Sequence, residues 1–238
     1  MGRKKLVVLT GAGVSAESGI TTFRDSNGLW ENHRVEDVAS IEGWYANPSL
    51  MLDFYNKRRA QLGQVRPNGA HLAIASLEHD WDVTVVTQNV DNLHERAGST
   101  RVIHLHGELT KVRPENSYNE MDGFSEEKVF DVGFDSIELG DKAPNGAQLR
   151  PHIVWFGEPV PKIDLAIDAV EAADLVLIVG TSLQVYPAAG LYRYARTDIP
   201  IYIIDPKDVG VRDSRLRHIK DVATNGMETF KNLIKSGI

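Results

Sequence analysis

Residues 6–16 read LVVLTGAGVSA, a continuous apolar run that ends in a glycine turn. A strand apolar on both faces belongs inside a sheet covered on both sides, because an exposed face would carry polar residues at alternate positions. The turn itself, Gly11-Ala12-Gly13-Val14-Ser15-Ala16, is a GxGxxA variant of the dinucleotide fingerprint. In that fingerprint the first glycine permits a tight turn and the second lets backbone approach a pyrophosphate. The small third residue allows close packing of a helix whose N-terminus faces the anion. A plain glycine turn between strand and helix is the competing reading.

A hydride-transfer enzyme adds a second strand that ends in an acidic residue ~20 positions later. Here the chain continues as TTFRDSNGLWENHR (21–34), polar and aromatic with no strand pattern. Glu36 and Asp37 lie at a suitable distance but follow no apolar run. The pattern disfavours a dehydrogenase and leaves room for a dinucleotide covered by a long loop carrying Phe23, Arg24 and Trp30.

Further apolar runs, VTVVT (83–87), RVIHL (101–105), HIVWF (152–156), DLVLIVG (174–180) and PIYIID (200–205), read as strands. Helical stretches fall near 48–62, 69–79, 91–97, 162–173, 187–196 and 226–235. This alternation predicts an α/β fold, a mainly parallel sheet with helices on both faces, whose ligands bind beyond the carboxyl ends of the strands. Residues 107–150 break the rhythm: they are polar and acidic, with short apolar groups at Phe124, Val129-Phe130, Val132, Phe134 and Ile137. They read as a small inserted domain between residues 1–106 and 151–238, and part of the helical region near 31–65 can join it. There is no internal repeat.

The 238 residues carry a formal charge of -7 and no cysteine. That charge argues against a general nucleic-acid grip, and the missing thiols exclude disulfides, thiolate nucleophiles and thiolate metal sites. The opening apolar run is shorter than the ~7–15 residues of a signal peptide, and no stretch approaches the ~18 of a membrane helix. A cytoplasmic protein without membrane association is expected, and nothing in the sequence calls for more than a monomer.

Asn47-Pro48 opens the helix near 48–62 with an N-cap and a proline at the first helical position. Leu50, Met51, Phe54, Tyr55 and Leu62 share one arc with Arg58 near its middle, and Lys57 and Arg59 fall outside it. Arg58 is either a snorkelling charge or, with Tyr55 three residues earlier, a reader of a carboxylate ligand.

Strand ends deliver Gln88-Asn89-Val90-Asp91, His106-Gly107 and Gly180-Thr181-Ser182 to one edge of the sheet. Each histidine, His104 and His106, is by itself structural or catalytic. Taken in order, GAGVSAESGI, TFR, TQNVDNLH, HLHGEL, IVWFGE and VGTSLQVYPAAGL resemble the signature blocks of the sirtuins, NAD-dependent protein-lysine deacylases. The resemblance runs from about Leu6 to Leu191. It implies a Rossmann-like large domain with a small domain inserted into it.

The resemblance also implies a mechanism. An acyl-lysine amide oxygen attacks the ribose carbon bearing nicotinamide, and an alkylamidate forms. His106 then draws a proton from the ribose hydroxyls, and free lysine and O-acyl-ADP-ribose result. By matching position, Asn89, Val90 and Asp91 hold the nicotinamide region and Gln88 contacts ribose. Gly11, Ala12, Gly13, Ser15 and Ala16 line the diphosphate. Thr22, Phe23, Arg24 and Trp30 cover ribose and nicotinamide, and Gly180, Thr181 and Ser182 face the phosphates. Asp205 stands where the family has a ribose-binding asparagine, and Ala223 matches an adenine contact. Val154, Phe156, Gly157, Glu158 and Val185 are expected to bind the acylated peptide, the 154–158 segment by strand addition.

Most sirtuins bind zinc through two CxxC pairs in the insert. Residues 107–150 contain neither cysteine nor histidine, so no zinc is expected. Tyr55-Asn56-Lys57-Arg58 matches a Tyr-x-x-Arg pair with which one branch of the family reads succinyl- or malonyl-lysine. Removal of these groups, with acetyl also accepted, is the expected activity. A sirtuin-like mono-ADP-ribosyltransferase and a non-catalytic NAD- or ADP-ribose-binding module are the alternatives.

Overall fold

The computed structural model describes residues 2–21, 29–30, 33–119, 123–124, 128–211 and 213–235. In chain order the strands are β1 (Lys5–Thr10), β2 (Leu29–Trp30), β3 (His33–Arg34), β4 (Asp82–Thr87), β5 (Val102–His104), β6 (Gly107–Pro114) and β7 (Tyr118–Asn119). They continue as β8 (Gly123–Phe124), β9 (Phe130–Asp131), β10 (Leu149–Ile153), β11 (Leu175–Val179), β12 (Ile201–Ile204) and β13 (Leu216–Ile219). The α-helices are α1 (Val35–Val38), α2 (Ile41–Ala46), α3 (Pro48–Gln64), α4 (Gly69–Ser76), α5 (Leu93–Ala97), α6 (Ile163–Glu171) and α7 (Ala223–Lys235).

Six strands form one parallel sheet in the order β13-β12-β11-β1-β4-β5. Alternate residues of β1 serve the two faces, as the strand period requires. Val7 and Leu9 pack with Val176, Ile178 and α6 residues Ala166 and Val170. Leu6 and Val8 pack with Val85, Leu177 and α7 residues Met227 and Phe230. Both faces are covered, which is why the strands read as unbroken apolar runs.

Strand order reverses between β1 and β11, and the crevice at their carboxyl ends is where such a sheet binds ligands. The turn after β1 enters that crevice differently from expectation. No long helix follows the GxGxxA segment; two single 3-10 turns, Ala12–Val14 and Ala16–Ser18, take its place. The segment expected as a helix near 187–196 is likewise 3-10, over Ala188–Tyr194. β13 carries Arg217 and His218 among its four residues and forms the sheet edge, so it lacked the apolar run that marked the other strands.

HIVWF departs from its expected place. Only residues as far as Ile153 are strand, and β10 pairs antiparallel with β6 in a second sheet ordered β10-β6-β9. A register shift at Pro151/His152 interrupts that pairing, which resumes at His152 and Ile153 before the strand ends. Trp44, Met51 and Leu52 from α2 and α3 pack there with Leu109, Val112 and Trp155.

Arg59 corrects the helical-wheel reading. Its side chain is fully buried rather than outside the packed face. Nε donates to the Leu109 carbonyl at 2.8 Å, and Nη1 donates to the carbonyls of Asn56 (side chain, 2.8 Å) and Asp135 (3.2 Å). Asn56 exchanges two hydrogen bonds with the backbone of Ile137, at 2.8 and 3.1 Å. β6 and the segment after β9 offer carbonyls to α3 beside the apolar contacts of Ile137, and a guanidinium and an amide satisfy them. Phe130 and Phe134, expected as apolar anchors of the insert, are exposed, whereas Ile137 is buried.

Candidate active site

Backbone packs directly on backbone where β1 and β11 end. Gly11 N–H donates to Val179 O at 3.1 Å and Gly13 N–H to Gly180 O at 2.8 Å. Gly180 has φ +62, and a Cβ there would lie 2.3 Å from Val14 N. Only glycine fits, both for the conformation and for the approach. Gln88 Nε2 donates to Thr181 Oγ1 at 3.2 Å, joining the end of β4 to the same crevice. Ser182 and the segment Val185-Tyr186-Pro187, with a cis bond between Tyr186 and Pro187, follow in the chain.

Beneath the turn lies a buried polar network. Ser15 Oγ donates to Asp91 Oδ2 at 2.9 Å and accepts from Asn89 Nδ2 at 3.1 Å. Asp91 Oδ1 accepts from Leu93 N–H at 3.1 Å. The four residues from Gln88 to Asp91 are thereby fixed against the GxGxxA turn, whose Ala12 and Ala16 begin its two 3-10 turns. Burial raises the carboxyl pKa of Asp91, and the bonds from Leu93 and Ser15 oppose it.

His106 follows β5. Its Nδ1 lies 3.0 Å from Gln88 O, a pure acceptor, so Nδ1 carries the proton and Nε2 keeps its lone pair. Burial lowers its pKa, against the opposing bond to Gln88, which favours the neutral ring. Gly107, at φ +82, is required here, because a Cβ would sit 2.0 Å from His152 O.

A small cavity of about 60 Å³ is lined by Ile20, Thr21, Trp30, Arg58, Val90 and Asp91, among others. It brings Arg58 and Asp91, 33 positions apart in sequence, to one space. The Arg58 guanidinium lies 3.3 Å from the Phe54 ring centroid and 4.7 Å from that of Trp30, and Nη1 donates to Phe54 O at 2.9 Å. Tyr55 does not line this cavity. Its phenol accepts from Trp155 Nε1 at 2.9 Å, and burial pushes its pKa up.

Other predicted residues are engaged elsewhere. The Glu158 carboxylate accepts from Arg150 at 2.7 and 2.9 Å, from Arg113 at 3.2 Å and from Trp155 N–H at 2.9 Å. It closes the 155–158 turn. Phe156 N–H donates to Ala39 O and its carbonyl accepts from Ile41 N–H, so that residue's backbone is committed to the segment before α2. Val154 N–H donates to His106 O at 2.9 Å. Gly157, at φ +89, abuts Ile41. Asp205, just after β12, accepts from Lys207 N–H through Oδ1, leaving Oδ2 to accept. Ala223 opens α7 and is buried. Thr22, Phe23 and Arg24 lie outside the described residues.

His71, Thr10 and His94 were not singled out from sequence. His71 Nε2 is 3.4 Å from Ser15 Oγ, and His94 Nε2 is 3.1 Å from Thr10 Oγ1. Burial holds His71 at about 4, His152 at about 3 and His94 well below its ordinary value. The unfolded chain, with histidines near ~6.5, binds more protons than the folded one between that pH and these lowered values. Stability therefore falls as pH drops from about 6.5 toward 4; Asp91, raised, offsets part of it. The urea midpoint is expected to be lower at pH 4.5 than at pH 6.5, and an equal or higher acid midpoint would contradict this.

Among the described residues no three His, Asp or Glu side chains are grouped to hold a metal, and the chain has no cysteine. No helix among them is long and apolar enough to cross a membrane. The donor set suits a dinucleotide instead: a glycine turn at the switch point, an acidic residue after β12, and amide and hydroxyl groups between them.

Comparison with known proteins gives the same direction. The model of the Sir2 family matches residues 11–187. A relative from Bacteroides thetaiotaomicron, named NAD-dependent protein deacylase, is 52% identical over 232 residues, covering 97% of this chain and 98% of its own. A solved Sir2 homolog–NAD complex is similar at TM-score 0.84 and 37% identity, covering 98% of this chain and 90% of that one. A Sir2–p53 peptide–NAD+ structure is similar at TM-score 0.75 and 28% identity, covering 99% and 95%.

Proposed function

The chain belongs to the Sir2 family, and we propose that it is an NAD-dependent protein-lysine deacylase that favours succinyl- and malonyl-lysine and also accepts acetyl-lysine. The observation that carries the acyl preference is Arg58, whose guanidinium borders the same cavity as Asp91.

Bound NAD supplies an electrophilic ribose carbon with nicotinamide as its leaving group. Gly11, Gly13 and Gly180 shape the crevice for the diphosphate, with Ser15, Thr181 and Ser182 beside it, and Asp205 Oδ2 accepts from a ribose hydroxyl. Asn89 and Asp91, braced through Ser15, orient the nicotinamide end. His106, with its Nδ1 proton on Gln88 O, takes a ribose hydroxyl proton at Nε2. Arg58 takes the distal carboxylate of the acyl group between the rings of Trp30 and Phe54. Tyr55 supports that arrangement through Trp155.

In this reading residues 1–106 and 151–238 form the NAD-binding part and 107–150 the inserted module, held without zinc by Arg59 and Asn56. The acylated peptide lies along Val154–Gly157. Because the Phe156 backbone and the N–H groups of Val154 and Trp155 are already paired, peptide hydrogen bonds come from Gly157 and from the Val185 side of the cleft.

A charge-assisted arginine contact contributes about 1.5–3 kcal/mol, or roughly one to two orders of magnitude. Wild-type kcat/KM is expected to be higher for a succinylated peptide than for its acetylated twin by such a factor. Equal values, or a preference for acetyl, would remove the acidic-acyl reading.

A further inference from the structure

His104 is almost fully buried, and each of its ring nitrogens faces an oxygen. Nδ1 lies 3.1 Å from the carbonyl of Asn89 and Nε2 lies 2.7 Å from Glu95 Oε1. A backbone carbonyl can only accept, and so can an ionised carboxylate. A neutral imidazole has one N–H and would set a lone pair against one of these oxygens. Both bonds form only when both nitrogens carry protons.

The consequence reaches the adjacent residue. Two successive carbonyls of the loop after β4, Gln88 O and Asn89 O, receive the Nδ1 groups of His106 and His104 respectively. The loop that presents the Asn89 amide is thus fastened to the strand end that presents His106 by two histidines in different protonation states.

We infer that His104 is a positioning residue for deacylation: a doubly protonated imidazolium that ties the Asn89 carbonyl to Glu95 and thereby keeps His106 in its Nδ1–H tautomer. This rests on the assignment of His106 as the base, but the state of His104 can be read without turnover.

The surroundings support the charge. Glu95 on α5 and Glu108 on β6 are the acidic groups acting on the ring, and Asp91 feels its positive charge. Lys111, paired with Glu108 at 2.9 Å, and the neutral His94 stand on the other side of the balance. Burial by itself would lower the His104 pKa, but the bond and charge of Glu95, the charge of Glu108 and the bond to Asn89 O together outweigh it and the net direction is upward. The pair contributes stability that is complete below the unfolded histidine pKa of ~6.5 and is lost as pH rises through the raised value.

Nitrogen-15 NMR of histidine-labelled protein tests this in the wild type and in Glu95→Gln. The wild type at pH 7.5 should show both His104 nitrogens protonated beside a neutral, Nδ1-protonated His106. Glu95→Gln should lower the His104 midpoint by about one pH unit or more. NAD-dependent kcat of that variant should fall by about tenfold at pH 7.5 and recover as pH drops through the new midpoint. A neutral His104 in the wild type at pH 7.5 would overturn the inference, as would a midpoint unmoved by Glu95→Gln. Failure of turnover in the wild type with the NMR result intact would count against the deacylase reading alone.

Discussion

His106→Ala is expected to lower NAD-dependent deacylation by roughly 10²–10⁴-fold, the usual contribution of a positioned general base. Removing the ring takes away the lone pair at Nε2, and among the described residues its hydrogen bond runs through Nδ1 to Gln88 O. The buried contacts of Ser15, Asn89 and Asp91 do not pass through His106, so the crevice keeps its shape. Calorimetric NAD affinity should change by less than about threefold, since the variant loses a proton acceptor rather than a main cofactor contact. Loss of binding together with turnover would make His106 a structural residue, and unchanged turnover would place the base elsewhere.

Arg58→Met is expected to cut kcat/KM for a succinylated peptide by roughly one to two orders of magnitude. Acetyl turnover should stay within about threefold of wild type, because methionine fills the arginine stem's place between aromatic rings. The guanidinium lies against Phe54 and Trp30, which fix its plane and shield it from water, and both effects strengthen a contact to a carboxylate. Equal loss with both peptides would mean that Arg58 supports α3 and not the acyl group. The experiment separates these outcomes only when both peptides share one sequence.

The sheet was readable because its strands are covered on both faces, so that burial writes itself into the sequence as unbroken apolar runs such as LVVLT and LVLIV. The strand-end chemistry was readable for the same reason, since Gln88–Asp91 and His106 directly follow such runs. Where the chain is held by side chain to backbone bonds, pattern gave no warning. Arg59 looks like a solvated charge on a helical wheel, yet it is fully buried against carbonyls of Leu109 in β6 and of Asp135. Glu158 was expected at the peptide through the resemblance of its block, and its carboxylate is the acceptor shared by Arg113 and Arg150, which no spacing announced.

The polar core under the site shows the same limit. Ser15, His71, Thr10 and His94 come from three separate segments, and only folding makes their bonds. His104 had one visible signal, its place two residues before His106 on one strand face. Its partner Glu95 lies on a different element, so the double protonation follows from the geometry and not from the spacing.

Weighing the products shows whether this chain transfers an acyl group from lysine to ADP-ribose. Wild-type protein is incubated with NAD and a peptide bearing a single succinyl-lysine, and the mixture is resolved by mass spectrometry. The account predicts one nicotinamide and one O-succinyl-ADP-ribose for every lysine freed. ADP-ribose attached to protein with the lysine still succinylated would contradict it, as would NAD that binds and is never consumed.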